Sequence, residues 1–299
     1  MDRTAAPRVD HFAFADIRGW RQDRFSDHAR FTGLSVAGKT LSDSPILFAA
    51  IVSRFPAVVA PWATTMLSPV LEKQRHRLYA TTVDSMQDRL REVDNSAAMF
   101  AALRWGMSEL DRTFEQTPAK VKAMVACRAG CDFCCSVPVH VQAHEVFLAA
   151  EHIQVNFSPL QLADVLERTS AHRRRLSGLH LDERGRLREP CALLRDGCCY
   201  IYADRPEACR SHHTSNAEVC RDDLTLSDVP IEKVYVPALR ARMYAVMLGL
   251  DAAIESAGFD DRAYDFGSAL HEALTNSLCR VLWLRRQPAF PDSCLAEPD

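Results

Sequence analysis

Two short clusters of cysteines constrain how the middle of this chain can fold. Nine of the eleven cysteines lie between Cys127 and Cys220. The first cluster reads CRAGCDFCC and ends at Cys135, and the second extends from Cys191 to Cys209. Thiols three or four residues apart can converge on one soft metal centre, because a turn or a helix start brings the sulfurs together. We therefore expect this region to bind metal.

Disulfide bonding and simple burial account for the cysteines less well than metal binding does. A disulfide framework is typical of short secreted chains, whereas this chain has 299 residues and starts without the apolar run of a secretory signal. We therefore expect a cytoplasmic location, where structural disulfides are rare. Burial as small hydrophobic side chains would suit the isolated Cys279 and Cys294, but it does not explain two tight clusters.

The composition is that of an ordinary globular protein. Hydrophobic residues make up 47% of the chain and charged residues 25%, and the formal net charge is -3. This charge does not favour a nucleic-acid partner or an anionic membrane surface. The longest apolar stretch, Ile46 to Leu71, is interrupted by Arg54 and three prolines, so we expect no membrane span.

Hydrophobic residues recur at helical spacing through most of the remaining sequence. One stripe starts at Tyr79, and the segment 94–96 offers an N-cap for a second helix. The segment 158–161 reads Ser-Pro-Leu-Gln, a capping box with proline at the first helical position. Two late stripes, 239–254 and 266–282, predict further helices. Because strand signals are few and short, we predict a mainly α fold: a helical bundle with a cysteine-rich metal-binding loop module.

The length of the chain favours two domains. We expect an N-terminal helical region over residues 1–118 and a cysteine-cluster metal-binding domain over residues 119–299, because Pro118 marks the approach to the cysteines. The apolar stripe that precedes Pro118 is too short for a coiled coil, so packing within the protein explains it better.

Residues around the second cluster suit thiolate ligands. Pro206 stands near the first position of a helix whose positive end would stabilise the Cys209 thiolate. Gly197 permits the tight turn that delivers Cys199. Side chains of adjacent residues diverge, so one member of each adjacent cysteine pair packs elsewhere or the site is polynuclear. The candidate thiols exceed the four that a tetrahedral zinc or a cubane cluster requires.

The thiol spacing bears on which metal is bound. Zinc usually recruits two short cysteine pairs, often together with histidine. Three tightly grouped thiols with more distant partners suit an iron–sulfur cluster better. The adjacent His212 and His213 are candidates for a mixed Cys/His site. Arg205 and Arg210 either neutralise a negative cluster or form ion pairs with other side chains, and both interpretations stay open.

A second pair of histidines is better explained by structure than by metal binding. His140 and His144 lie four residues apart beside Glu145, and could share a helical face. The start of a helix explains this arrangement more simply than a metal site.

Together the motifs resemble the YkgJ-like cysteine-cluster family of zinc- or iron-chelating proteins. That family combines a C-x(2,3)-C-x-x-C-C motif with Pro-Cys, Gly-x-Cys-x-Ile-Tyr and Arg-Pro-x-x-Cys-Arg segments. The matching segments here are 127–135, 190–191, 197–202 and 205–210. The resemblance covers residues 119–285, and Cys198 is an extra thiol beside the one that matches.

The resemblance implies that seven thiols supply the metal ligands. They are Cys127, Cys131, Cys134, Cys135, Cys191, Cys199 and Cys209. A [4Fe–4S] cluster is the expected cofactor, with Zn²⁺ or mononuclear iron as the alternatives. One branch of the family resembles a flagellin lysine methylase that uses an iron–sulfur cluster and S-adenosylmethionine, so S-adenosylmethionine is a further candidate ligand.

Two classes of function stay open. The first is redox or S-adenosylmethionine-linked chemistry, methyl transfer included, on an unknown small-molecule or protein substrate. The excess of thiols over four favours it, because a structural site is normally closed by four ligands. The second is a non-catalytic, zinc-stapled module for protein interaction. The lack of a recognisable substrate pocket or nucleotide-binding loop in the sequence favours this alternative.

The first cluster also fits the radical S-adenosylmethionine signature, which has three cysteines and an aromatic residue before the last. Phe133 stands at that aromatic position, before Cys134. Enzymes of that class are βα barrels with a glycine-rich segment, whereas the surroundings here are helical. A motif needs its structural context, so this interpretation is less favoured.

Overall fold

Residues 69–226 and 229–296 are the part of the chain that the structure, a computed structural model, describes. Helices account for nearly all of the regular structure in it. They are α1 (Pro69–Arg91), α2 (Ser96–Glu115), α3 (Ala119–Lys122), α4 (Ala143–Asn156), α5 (Pro159–Ser177), α6 (Leu181–Arg184), α7 (Glu207–Ser211), α8 (Ala217–Asp222), α9 (Pro237–Ser256), α10 (Phe266–Thr275) and α11 (Leu278–Leu284).

The strands within residues 69–226 and 229–296 are two residues long and form two antiparallel pairs. They are β1 (His140–Val141), β2 (Leu194–Arg195), β3 (Cys198–Cys199) and β4 (Tyr264–Asp265). β1 pairs with β4, and β2 pairs with β3. The prediction of a mainly α fold is therefore confirmed. Most of the predicted apolar stretch Ile46–Leu71 lies outside the described residues.

Side-chain caps begin the longer helices where the sequence predicts. Asn95 precedes α2, and its Oδ1 accepts a hydrogen bond from the Ala98 amide at 2.9 Å. Ser158 and Gln161 form the predicted capping box at the start of α5: the Ser158 Oγ accepts from the Gln161 amide at 3.3 Å, and the Gln161 Oε1 accepts from the Ser158 amide at 2.9 Å.

The late apolar stripe forms two helices instead of one. The spacing predicts a continuous helix over 266–282, but α10 ends at Thr275 and α11 begins at Leu278. Asn276 stands at the break with φ -128° and ψ 97°, which is extended backbone, and its Oδ1 accepts a hydrogen bond from the Leu278 amide at 3.1 Å. Asparagine competes with helical hydrogen bonds in this way, so a hydrophobic stripe alone does not ensure a continuous helix.

α9 lies at the centre of the core. Its predicted apolar stripe is buried, from Leu239 to Ile254, and helices α1 and α2 pack directly against it. Residues 69–115 thus share a core with the cysteine-bearing half, and the domain division at residue 118 stays a prediction. None of the helices in residues 69–226 and 229–296 combines the length and the apolar composition needed to cross a lipid bilayer.

Gly249 is a point of close packing between α1 and α9. A Cβ atom built on Gly249 would lie 2.8 Å from the Thr82 Cβ and 3.0 Å from the Tyr79 carbonyl oxygen. We expect Gly249→Ala to lower the free energy of unfolding by about 1–3 kcal/mol, because the two helices must move apart. Thermal unfolding followed by circular dichroism measures the effect.

Gly178→Ala is the matched control for this prediction. Gly178 ends α5 at φ -92°, which an L-residue adopts freely, and its added Cβ would make only an ordinary contact of 3.6 Å. Gly178→Ala should leave the melting temperature unchanged or slightly raised. Equal melting temperatures for the two variants would contradict the close packing of α1 on α9.

Candidate metal centre

The first cysteine cluster occupies a tight turn that follows α3. Gly130 has φ +80°, a left-handed conformation that favours glycine. The Cys131 amide donates a hydrogen bond to the Arg128 carbonyl at 3.0 Å, and the Cys135 amide donates to the Asp132 carbonyl at 2.9 Å. These local bonds form two successive turns within the segment 127–135.

A two-residue hairpin presents the second cluster. β2 and β3 are joined by Asp196 at φ 50° and Gly197 at φ 72°, as a type I′ turn requires at both central positions. Cys198 and Cys199 project to opposite faces of β3: Cys198 is exposed and Cys199 is half-buried. Gly197 therefore has the turn role that the sequence predicts.

Backbone hydrogen bonds join the two clusters directly. The Cys191 amide donates to the Cys135 carbonyl at 2.8 Å, and the Glu189 amide donates to the Ser136 carbonyl at 3.0 Å. Arg168 of α5 donates to the carbonyls of Cys191, Ala192 and Leu194 at 2.8 to 3.1 Å. The segment that carries Cys191 is thus held between the first cluster and α5.

The third thiol segment is α7, which carries Cys209. Pro206 precedes this helix, close to the position that the sequence predicts. The buried Glu145 of α4 fixes the helix start, because its Oε1 accepts a hydrogen bond from the Glu207 amide at 2.9 Å. The His144 Nε2 lies 3.3 Å from Glu207 Oε1. His144 and Glu145 therefore link α4 to α7.

Five thiols in these segments act on one another electrostatically. They are Cys134, Cys135, Cys191, Cys199 and Cys209, called the central thiols below. Burial raises the pKa of Cys191 to about 12, and the charges of Cys199 and Cys135 add to this shift. Burial also raises the pKa of Cys209 well above its usual value, again with contributions from Cys191, Cys135 and Cys199.

Cys134 and Cys135 form a coupled pair. A hydrogen bond from the Cys134 thiol to the Cys135 sulfur raises the pKa of Cys134 and lowers that of Cys135. Burial also raises the pKa of Cys199, against the opposing charges of Arg205 and Arg210. Of the central thiols, Cys135 is therefore the one most readily ionised.

The other predicted ligands lie at the edge of this group. The Cys127 Sγ is 3.8 Å from the Thr214 Oγ1, which is 3.2 Å from the Cys220 Sγ. The pKa of Cys220 is raised by burial and by the charges of Cys127 and Cys131, and Cys127 acts in turn on Cys134. Cys220 thus joins the thiols of the first cluster; its trailing position in the motif was the only sequence signal for it.

His212 and His213 are uncharged at neutral pH. Burial lowers the pKa of His212 to about 3 and that of His213 to about 4. The His213 ring stacks on Phe114 of α2 with centroids 4.7 Å apart, and the His212 ring packs edge-on against Tyr235 at 5.3 Å. The His212 carbonyl lies 3.8 Å from the Cys127 Sγ. Neutral imidazole is the form that can bind a metal.

Arg205 and Arg210 form ion pairs, and they also lie close enough to the thiols to act on Cys199. Both pair with Asp111 of α2, Arg205 at 3.6 Å, and the Arg210 Nε donates to the Arg205 carbonyl at 2.9 Å. Their charges also lower the pKa of Cys199. The two arginines therefore bring positive charge to the central thiols while they attach α7 to α2.

The donor set fits a thiophilic metal. Buried thiols that raise one another's pKa bind a cation well. The cation neutralises the negative charge of the thiolates, whose mutual repulsion otherwise opposes ionisation. Among residues 69–226 and 229–296, no three His, Cys, Asp or Glu side chains already surround a point where a metal could sit.

The adjacent pair Cys198 and Cys199 provides a test of which thiols hold metal. We expect Cys199→Ser to lose most of the bound metal and to melt at a lower temperature, because a ligand is lost and metal binding is coupled to folding. Cys198→Ser is the control, since Cys198 is exposed and faces away from the central thiols. Metal per chain, measured by mass spectrometry, should stay near the wild-type value in the control. Equal loss in both variants would contradict this assignment.

Comparison with known proteins identifies the cysteine-bearing part of the chain. Residues 126–227 match the family described as "CxxCxxCC: Putative zinc- or iron-chelating domain". No curated protein and no solved structure matches the chain significantly. The matched residues contain both cysteine clusters and Cys220. This match confirms the resemblance that the sequence motifs show to a zinc- or iron-chelating family.

Proposed function

We propose that this metal-chelating domain carries a [4Fe–4S] cluster. The ligands are drawn from the seven predicted thiols, Cys127, Cys131, Cys134, Cys135, Cys191, Cys199 and Cys209. The observation that supports the proposal most is the group of five central thiols, which act on one another without a histidine among them. Four thiolates hold a cubane cluster, so the central thiols alone suffice.

The surroundings suit a cluster that carries negative charge. Arg205 and Arg210 place two guanidinium groups where they favour ionised Cys199. When bound, such a cluster supplies one-electron redox chemistry, or acts with S-adenosylmethionine in group transfer. Positive groups near a cluster favour its more negative, reduced state. The role that we propose is therefore redox or S-adenosylmethionine-linked chemistry, methyl transfer included.

All eleven cysteines are free thiols in the structure. A reducing compartment preserves thiols in this state. We therefore include a cytoplasmic location in the proposal.

A zinc-stapled module for protein interaction is the second candidate. The observation that favours it is that His212 and His213 are neutral and belong to a segment whose His212 backbone carbonyl lies near the Cys127 Sγ, because mixed Cys/His ligation is typical of structural zinc. The His213 Nδ1 is buried and has no hydrogen-bond partner among the described residues. A zinc site at this edge of the thiol group would use Cys127, Cys131 and Cys220 with one histidine.

Metal and sulfide analysis separates the two candidates. We expect the full chain, purified without oxygen, to be brown and to contain iron and acid-labile sulfide in equal amounts, because a cubane cluster holds as many sulfides as irons. Colourless protein with stoichiometric zinc and no sulfide would contradict the iron–sulfur proposal and leave the zinc module. His213→Ala is an informative control: it should leave the iron content unchanged but lower a zinc content that depends on histidine.

Reduction and ligand binding then test the proposed chemistry. The visible absorbance of the anaerobic protein should bleach with dithionite and return on oxidation. Saturable heat on titration with S-adenosylmethionine would support a role in group transfer. Absence of such heat would restrict the proposed role to electron transfer. A cluster that is not reversibly reduced and does not bind S-adenosylmethionine would contradict both proposed kinds of chemistry.

A further inference from the structure

A cavity of about 290 Å³ adjoins the cysteine clusters at Cys191. It lies between α5, the start of α10 and the segments 136–140 and 184–193. Cys191, one of the central thiols, forms part of its wall. The volume is close to the lower end of the range for small-molecule sites, about 300–1,000 Å³. No sequence pattern reveals this cavity, because its wall segments are far apart along the chain.

The wall is apolar over most of its area. Its hydrophobic side chains include Val139, Leu176, Leu193, Phe266 and Leu270. Several of them belong to the main core or pack against it, so the cavity is a preformed recess in a rigid part of the protein. An apolar recess of this kind accepts an aliphatic or aromatic body.

The carboxylates of the wall already have partners. The His172 Nδ1 contacts Glu189, and the His172 Nε2 lies 2.9 Å from the Asp265 Oδ1. Arg175 forms an ion pair with Glu189. The His172 ring also lies against the backbone of α10, because a Cβ on Gly267 would come within 2.5 Å of its Cδ2. This packing fixes His172 between the two carboxylates.

Two arginines of the wall lack such partners. Arg168 donates to three backbone carbonyls, and neither Arg168 nor Arg184 makes an ion pair with any carboxylate in the described residues. The Arg184 Nε is buried and has no hydrogen-bond partner among those residues. A guanidinium group matches the two oxygens of a carboxylate in a fork-like geometry. The wall thus carries positive charge that its own acids do not balance.

We propose that this cavity binds a small organic carboxylate, with its apolar body among the hydrophobic side chains and its carboxylate on Arg184. Arg168, held by three backbone carbonyls, adds a fixed positive charge to the wall. Because Cys191 lines the same cavity, the bound molecule lies beside a proposed metal ligand. The position of the bound molecule beside a metal ligand rests on the proposed function, whereas binding of the carboxylate depends only on the cavity and its charges.

Calorimetric titration of the full chain with phenylacetate tests the proposal, with phenylacetamide as the matched neutral probe. We expect saturable binding of phenylacetate at one site per chain and binding of phenylacetamide at least about tenfold weaker, because the amide lacks the negative charge and the second acceptor oxygen that pair with a guanidinium group. Equal affinity for the two probes, or no binding of either by folded protein, would overturn the proposal.

Three variants locate the binding site. Arg184→Gln should weaken phenylacetate binding about tenfold and bring its affinity close to that of phenylacetamide. Arg186→Gln is the matched control, because Arg186 does not line the cavity, and it should bind like the wild type. Ala171→Phe fills the cavity from α5 and should abolish binding of both probes. Wild-type affinity in Arg184→Gln and Ala171→Phe would overturn the assignment to this cavity.

The same titration separates this proposal from the cluster proposal. Phenylacetate binding to protein that contains zinc and no sulfide would leave the cavity proposal standing while the iron–sulfur proposal fails. Brown, cluster-containing protein that binds no phenylacetate would support the iron–sulfur proposal and overturn the cavity proposal. In protein that contains the cluster, a change in its visible absorbance on addition of phenylacetate, absent in Arg184→Gln, would support the position of the carboxylate beside Cys191.

Discussion

The hydrogen bond from the Cys191 amide to the Cys135 carbonyl is the contact on which the geometry of the centre depends. It joins two loops that are separated along the chain by the whole of α4 and α5. With the adjacent bond from Glu189 to Ser136, it places the first cluster against the hairpin that carries Cys199. Neither loop has enough regular structure to hold its thiols alone, so each loop orders the other.

The electrostatic environment of the thiols in these loops favours the binding of a metal cation. Burial raises the pKa of Cys191, Cys199 and Cys209, and the charges of neighbouring thiols add to this effect. In the absence of a cation these three stay protonated, and a metal that displaces the protons relieves the cost of burying charge. Arg205 and Arg210 supply part of the compensation, and Asp111 of α2 anchors both. The helices that precede the cysteines thus help to form the centre.

Much of the helical framework could be predicted because its signals are local. The Asn95 cap, the capping box of Ser158 and Gln161, and the apolar stripe of α9 each depend on residues within a few positions of one another. The predicted helix over 266–282 was wrong for a related reason: Asn276 offers the backbone an alternative to helical hydrogen bonds, which a hydrophobic pattern does not register. The short pairing of β1 with β4 joins distant segments and was not predicted.

The sequence by itself determined which residues are candidate metal ligands and which family their spacing resembles, because cysteine motifs are read from residue type and separation alone. Only the tertiary structure decided how those thiols are grouped: five central thiols, with Cys127, Cys131 and Cys220 at their edge. It also decided that a charged cavity adjoins Cys191. The physical reason is that burial, mutual charge and cavity shape arise between segments distant along the chain, and no local pattern encodes them.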